Sequence, residues 1–130
     1  MTVFVDTSYY IARTIARDQW HAAAAKAIRP GLRFVTSAPV INETVSLLQR
    51  RGLVSVALQF LTEVRNNPDI DVIHVDESLQ REAWDLFHRL AGTGANAVDC
   101  ISVAIMKRLS IKKAFTFDEH FRRAGFEILG

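Results

Sequence analysis

The 130-residue chain contains one cysteine, three prolines and six glycines. With Cys100 alone, neither an intramolecular disulfide nor a cysteine-built zinc cluster can form. The few prolines and glycines are scattered, so no low-complexity linker divides the chain. Residues 1–130 are therefore read as one domain. No uninterrupted apolar run exceeds four residues, as in Tyr9–Ala12, Ala22–Ala25 and Val103–Met106, so no transmembrane helix is expected. No basic stretch followed by an apolar one opens the sequence, and a cytoplasmic protein is expected. Charge of one sign is not in excess either: 16 Lys+Arg against 14 Asp+Glu give a net charge of +2. Whole-molecule charge thus carries no nucleic-acid argument, and the question becomes where the charges fall.

What is present is an ordinary globular composition, 49% hydrophobic and 23% charged. Thr2–Asp6 is a short apolar, β-branched run that reads as a buried strand. Thr7 or Ser8 is expected to cap a helix through about Arg17, and Asp18 to open another over Gln19–Arg29. Arg33–Thr36 reads as a second strand, followed by a helix from Ser37 to Arg51 that stops at Gly52. Leu53–Asn66 completes a helical hairpin. Ile70–Val75 alternates like a strand, and Asp76 or Ser78 caps a helix to Ala91. Asn96 caps Ala97–Leu109. Ala114–Phe117, Glu119–Ala124 and Phe126–Leu129 read as strand, helix and strand. Short strands alternating with helices predict an α/β fold, a three-layer α/β/α sandwich with a mainly parallel central sheet. Ligands of such sheets bind beyond the carboxyl ends of the strands.

Four acids stand in positions that this pattern makes conspicuous. Asp6 sits at the carboxyl end of the first strand and Asp118 at that of Ala114–Phe117, so parallel pairing places both on one sheet edge. Asp99 lies in Ala97–Met106, where eight of ten residues are apolar or cysteine. A carboxylate on so apolar a helix costs several kcal/mol unless paired or bound to a cation. Glu43 lies between Val40 and Leu47 at the border of an apolar stripe. Each has an ordinary explanation when taken singly. Asp6 can cap the first helix, Asp99 can be the acid of an Asn96 cap, Thr116 and Glu119 can form a capping box around Asp118, and Glu43 can edge the core. Jointly, clustered carboxylates repel unless cations neutralise them, and hard oxygen ligands select Mg²⁺ or Mn²⁺ over zinc.

The motifs Val3-Phe4-Val5-Asp6-Thr7-Ser8, Asn42-Glu43-Thr44, Ala97-Val98-Asp99-Cys100-Ile101-Ser102 and Thr116-Phe117-Asp118-Glu119-His120-Phe121 with Gly125-Phe126 resemble those of PIN-domain proteins. More narrowly, the chain resembles the VapC-type toxins of type II toxin–antitoxin systems over residues 2 to 129. The resemblance implies a small endoribonuclease that cleaves phosphodiester bonds with metal-activated water. Asp6, Glu43, Asp99 and Asp118 would be its catalytic, metal-binding acids, with Mg²⁺ as cofactor and Mn²⁺ as substitute. It also implies a cognate antitoxin, an RNA substrate and a homodimer. Related toxins often carry Ser where this chain has Asn96, and Asn caps a helix equally well. Thr7, Ser8, Asn96 and Thr116 are expected as supporting polar residues.

Arg13, Lys107, Arg108 and Arg122 are the candidate phosphate contacts, with Arg17, Arg50, Arg51, Lys112, Lys113 and Arg123 near them. A solvated surface explains each pair as well. Trp20 and Trp84 read as core or interface aromatics, His120 as a surface or packing residue that could approach substrate, and Cys100 as core. Val54 and Leu58 lie off the hairpin's main stripe and mark either a dimer or antitoxin surface or a second face buried in the monomer core. Competing readings are a non-toxin PIN nuclease, a non-catalytic PIN scaffold, and a phosphoacceptor or phosphatase-type domain. An Asp-x-Asp phosphatase site would need Asp where Ser8 stands, and a scaffold would have lost acids that are all present.

Overall fold

The computed structural model describes residues 1–15, 18–26 and 30–129. Its element order is β1 (Thr2–Val5), α1 (Thr7–Thr14), α2 (His21–Lys26), β2 (Arg33–Ser37), α3 (Ala38–Arg50), α4 (Val54–Asn66), β3 (Ile70–Ile73), α5 (Glu77–Leu90), α6 (Ala97–Arg108), β4 (Lys113–Phe115), α7 (His120–Arg123) and β5 (Glu127–Leu129). The five strands form one sheet in the order β3-β2-β1-β4-β5, and every pairing is parallel.

Consecutive residues of a strand point to opposite faces. Val3, Phe4 and Val5 are all essentially inaccessible, as are Ala114 and Phe115. The central strands are therefore covered on both faces, which is the three-layer arrangement expected of a parallel sheet. From β1 the chain runs outward through β2 to β3, then crosses back to place β4 on the other side of β1. The carboxyl ends of β1 and β4 thus flank the point where strand order reverses, where such sheets open a crevice.

Helix starts are set by polar side chains. Asp6, rather than Thr7 or Ser8, caps α1, accepting from the Ser8 amide. Ser37 caps α3 with Pro39 in its first turn, and Asp76 caps α5. Gly52 takes φ +75° between α3 and α4, a conformation that favours glycine. α6 is buried along Asp99–Met106.

Several boundaries differ from the sequence reading. α1 ends at Thr14, and the expected extension through Ala16 and Arg17 lies outside the described residues, as do Ala27–Arg29 at the end of the second helix. β3 stops at Ile73. β4 stops at Phe115 rather than Phe117, because the amides of Phe117 and Asp118 bond to the Ser8 and Thr116 hydroxyls. The last helix shortens to His120–Arg123, and no capping box surrounds Asp118. Trp20 and Trp84 are not core residues; they are 45% and 59% exposed. Among the described residues no helix is long and apolar enough to cross a membrane.

Candidate active site

Beyond the ends of β1 and β4 lies an open cleft of about 420 Å³, and all four predicted acids line it. Asp6 comes from the end of β1, Glu43 from the second turn of α3, Asp99 from the first turn of α6 and Asp118 from the loop after β4. Asp18 and Glu119 add two more carboxylates at the walls, and Arg51 is the one cation among the described lining residues.

Asp6 is held by a network that joins distant parts of the chain. Its Oδ2 accepts from the Ser8 hydroxyl at 2.9 Å, the Thr116 hydroxyl at 2.9 Å and the Ser8 amide at 3.4 Å. The two hydroxyl oxygens in turn accept from the Phe117 and Asp118 amides, at 2.9 and 3.0 Å. Asp6 thereby both caps α1 and fixes the turn that carries Asp118. Thr7 shares the cleft, but its hydroxyl is buried without a partner among the described residues.

Asp99 and Asn96 form a reciprocal capping box. The Asn96 amide donates to Asp99 Oδ2 and the Asp99 amide to Asn96 Oδ1, both at 2.9 Å. Asp118 Oδ1 accepts from the His120 amide at 3.1 Å and lies 3.2 Å from His120 Nε2. One ligand atom each from Asp99, Asp118 and His120 fall within 4.8 Å of one another, close enough to share an ion. Asp6 and Glu43 line the same cleft outside that tight group.

The electrostatics fit a cation. Burial pushes the Asp6 carboxyl up, outweighing the bonds from Thr116 and Ser8. Burial, and then the neighbouring charges of Asp6 and Asp118, push Asp99 up to about 6, against the opposing Asn96 amide. In Asp6, Asp99 and Asp118 the hydrogen bonds given above all fall on one carboxylate oxygen. An oxygen-rich donor set suits a hard divalent ion.

Of the basic residues named from the sequence, Arg51 lines this cleft, whereas Arg13, Lys107, Arg108 and Arg122 are not among its described lining residues. Arg13 is exposed on α1 and faces α4 beside Glu63. Lys107 and Arg108 stand at the opposite end of α6 from Asp99, roughly 12–14 Å away along the helix. Arg108 is paired there with Asp76 at 3.6 Å and Glu82 at 3.2 Å. Arg122 is exposed and forks onto Glu119 at 2.8 and 2.9 Å. Sequence reasoning undervalued His120, whose spacing from Asp118 was the available signal, and left Trp20, which lines the cleft, open between core and interface.

Comparison with known proteins agrees with this geometry. The family model of the PIN domain matches residues 3–127. The chain is 34% identical over 131 aligned positions, 95% of each chain, to the 23S rRNA-specific endonuclease VapC20 of Mycobacterium tuberculosis. The crystal structure of VapC20, described as a sarcin-ricin loop cleaving toxin, superposes with a TM-score of 0.88 at 32% identity, covering 98% of this chain and 99% of that one. A toxin–antitoxin complex from Klebsiella pneumoniae shares the fold, with a TM-score of 0.60 at 13% identity over 90% of this chain and 87% of its own.

Proposed function

Since the chain belongs to the PIN-domain family, in its VapC-type branch, we propose that it is a divalent-metal-dependent endoribonuclease acting as the toxin of a type II toxin–antitoxin system. The observation that carries the reading is the convergence of Asp6, Glu43, Asp99 and Asp118 on one cleft at the switch point of the sheet. The family implies a divalent metal. Mg²⁺, with Mn²⁺ as substitute, is the ion we assign, with Asp99 and Asp118 holding it beside His120, and Asp6 and Glu43 as the further acids of the cleft.

When bound, such an ion supplies a Lewis acid for the phosphate and lowers the pKa of an attacking water. The chain's own residues do the rest. Ser8 and Thr116 fix the Asp6 carboxylate, and the Asn96 box fixes that of Asp99, so neither must reorganise when charge develops on the phosphate. Arg51 supplies a guanidinium on the cleft wall that suits a phosphate oxygen. Among the described lining residues, six carboxylates against one guanidinium make the bare cleft hostile to an RNA backbone, so cation loading and substrate binding are coupled.

Ribosomal RNA is the substrate class we favour, in line with the 23S rRNA specificity of VapC20. An antitoxin partner is supported by neighbours solved in toxin–antitoxin assemblies. Val54 and Leu58, 51% and 62% exposed on α4, support a protein contact on that helix, an antitoxin or a second copy. We place the protein in the cytoplasm with its substrate. The test is cleavage of structured RNA by the purified protein in Mg²⁺ and in EDTA, with Asp6→Asn and Asp99→Asn as controls. Metal-independent cleavage, or full activity in either variant, would overturn the assignment.

A further inference from the structure

One wall of the cleft is aromatic. Phe115, buried in β4, stacks on Tyr9 at 4.6 Å between centroids and 10° between planes. Tyr9 lies 6.4 Å and 15° from Phe117, and Phe117 stacks on Trp20 at 5.2 Å and 6°. These four nearly parallel rings run from the core to the cleft mouth, and the last of them, Trp20, is 45% exposed. Its neighbours in the column join it to the catalytic loop, because Phe117 stands between Thr116 and Asp118.

The position of Trp20 is fixed from its backbone as well as its ring. Its amide donates to Asp18 Oδ1 at 2.9 Å, and its carbonyl accepts the Ala24 amide at 2.9 Å, opening α2. His21 Nδ1 lies 2.7 Å from the Ala12 carbonyl, and the Tyr9 hydroxyl donates to the Ala24 carbonyl at 3.0 Å, tying α2 to α1. A large indole held this firmly, with one face stacked and nearly half its surface in water, is a costly way to finish a cleft wall unless something covers it.

We propose that Trp20 is a stacking platform for an unpaired RNA base, seated beside the phosphate that a cation at the carboxylates would hold. The inference rests on the nuclease reading and names the substrate feature that site takes. A base has a flat π-face whatever its identity, and bases are free to stack on protein only where RNA is looped or single-stranded. The platform therefore selects loops over duplex without reading sequence.

The test uses the two tryptophans separately. In Trp84→Phe protein, Trp20 is the sole tryptophan, and its emission is titrated with an RNA stem-loop and with a fully paired duplex of equal length. Quenching by the stem-loop and little by the duplex is expected. In the otherwise native chain, Trp20→Ala is expected to lower kcat/KM on the stem-loop about tenfold or more. Trp20→Phe should recover most of that loss, and the Mn²⁺-induced rise in Tm should be unchanged in both. Equal cleavage by wild type and Trp20→Ala overturns the platform, as does quenching by an antitoxin peptide with none by RNA. A wild-type protein that cleaves no RNA overturns the nuclease reading instead. In that case stem-loop quenching still supports the platform, and its absence overturns both.

Discussion

The Thr116 hydroxyl donates to Asp6 Oδ2 at 2.9 Å across 110 residues of sequence, and its oxygen accepts the Asp118 amide at 3.0 Å. One buried side chain therefore sets two acids from opposite sides of the switch point. Thr116→Val keeps the shape and removes both bonds. It should lower stability by about 1–3 kcal/mol and weaken Mn²⁺ binding, read by chemical denaturation and calorimetry. Unchanged Mn²⁺ affinity in a folded variant would show that Thr116 serves packing alone.

Asp99 is a liability in the metal-free protein. Its carboxyl is pushed up to about 6 from an ordinary 3.8, mainly by burial and secondarily by Asp6 and Asp118. Below the lower value both folded and unfolded chains are protonated and burial costs nothing. Between the two values the unfolded chain ionises first, so stability falls as pH rises, and above about 6 the cost is complete. Asp6 acts in the same direction. In EDTA, the urea midpoint should fall between pH 4 and 6.5, and Asp99→Asn should flatten that decline. The variant should gain up to about 3 kcal/mol at pH 7 while losing its response to Mn²⁺.

Gly94 adopts φ +94°, and a Cβ there would stand 3.1 Å from His120 Cε1. Gly94→Ala should destabilise the protein by about 1–3 kcal/mol through the backbone alone. It should also displace the imidazole that contacts Asp118. Weaker Mn²⁺ binding than in His120→Asn, which keeps a short polar side chain, would place the damage at Asp118. Wild-type Mn²⁺ binding in Gly94→Ala would confine the glycine's role to the turn.

Much of this arrangement was legible in the sequence. Strand-end positions located Asp6 and Asp118, an apolar helix made Asp99 conspicuous, and three-residue spacing announced the Asn96 box. Glu43 was readable from the border of its stripe, and the PIN-type motifs carried the family. What failed depended on contacts between distant segments. β4 ends early because Ser8 and Thr116 capture the amides of the following turn. His120 gains its role from proximity to Asp118 and Gly94. For Trp20 the sequence leaves core and interface open, because hydrophobicity cannot distinguish a core indole from one stacked at a rim.

The basic residues give a separate comparison. Arg51 lines the cleft, whereas Arg108 is paired with Asp76 and Glu82 at the far end of α6. Arg51→Ala should raise KM for RNA several-fold and reduce its salt dependence, with Arg108→Ala close to wild type in both. The reverse order would move the RNA path to the α5–α6 face.

The most direct measurement is the rate of stem-loop RNA cleavage across a Mg²⁺ titration, by wild type and by Asp99→Asn, with folding checked in parallel. The carboxylate-cleft account predicts no cleavage in EDTA, saturable recovery with Mg²⁺, and a loss of about a hundredfold in the folded variant. Cleavage that persists in EDTA, or a folded Asp99→Asn protein cutting at the wild-type rate, would contradict it.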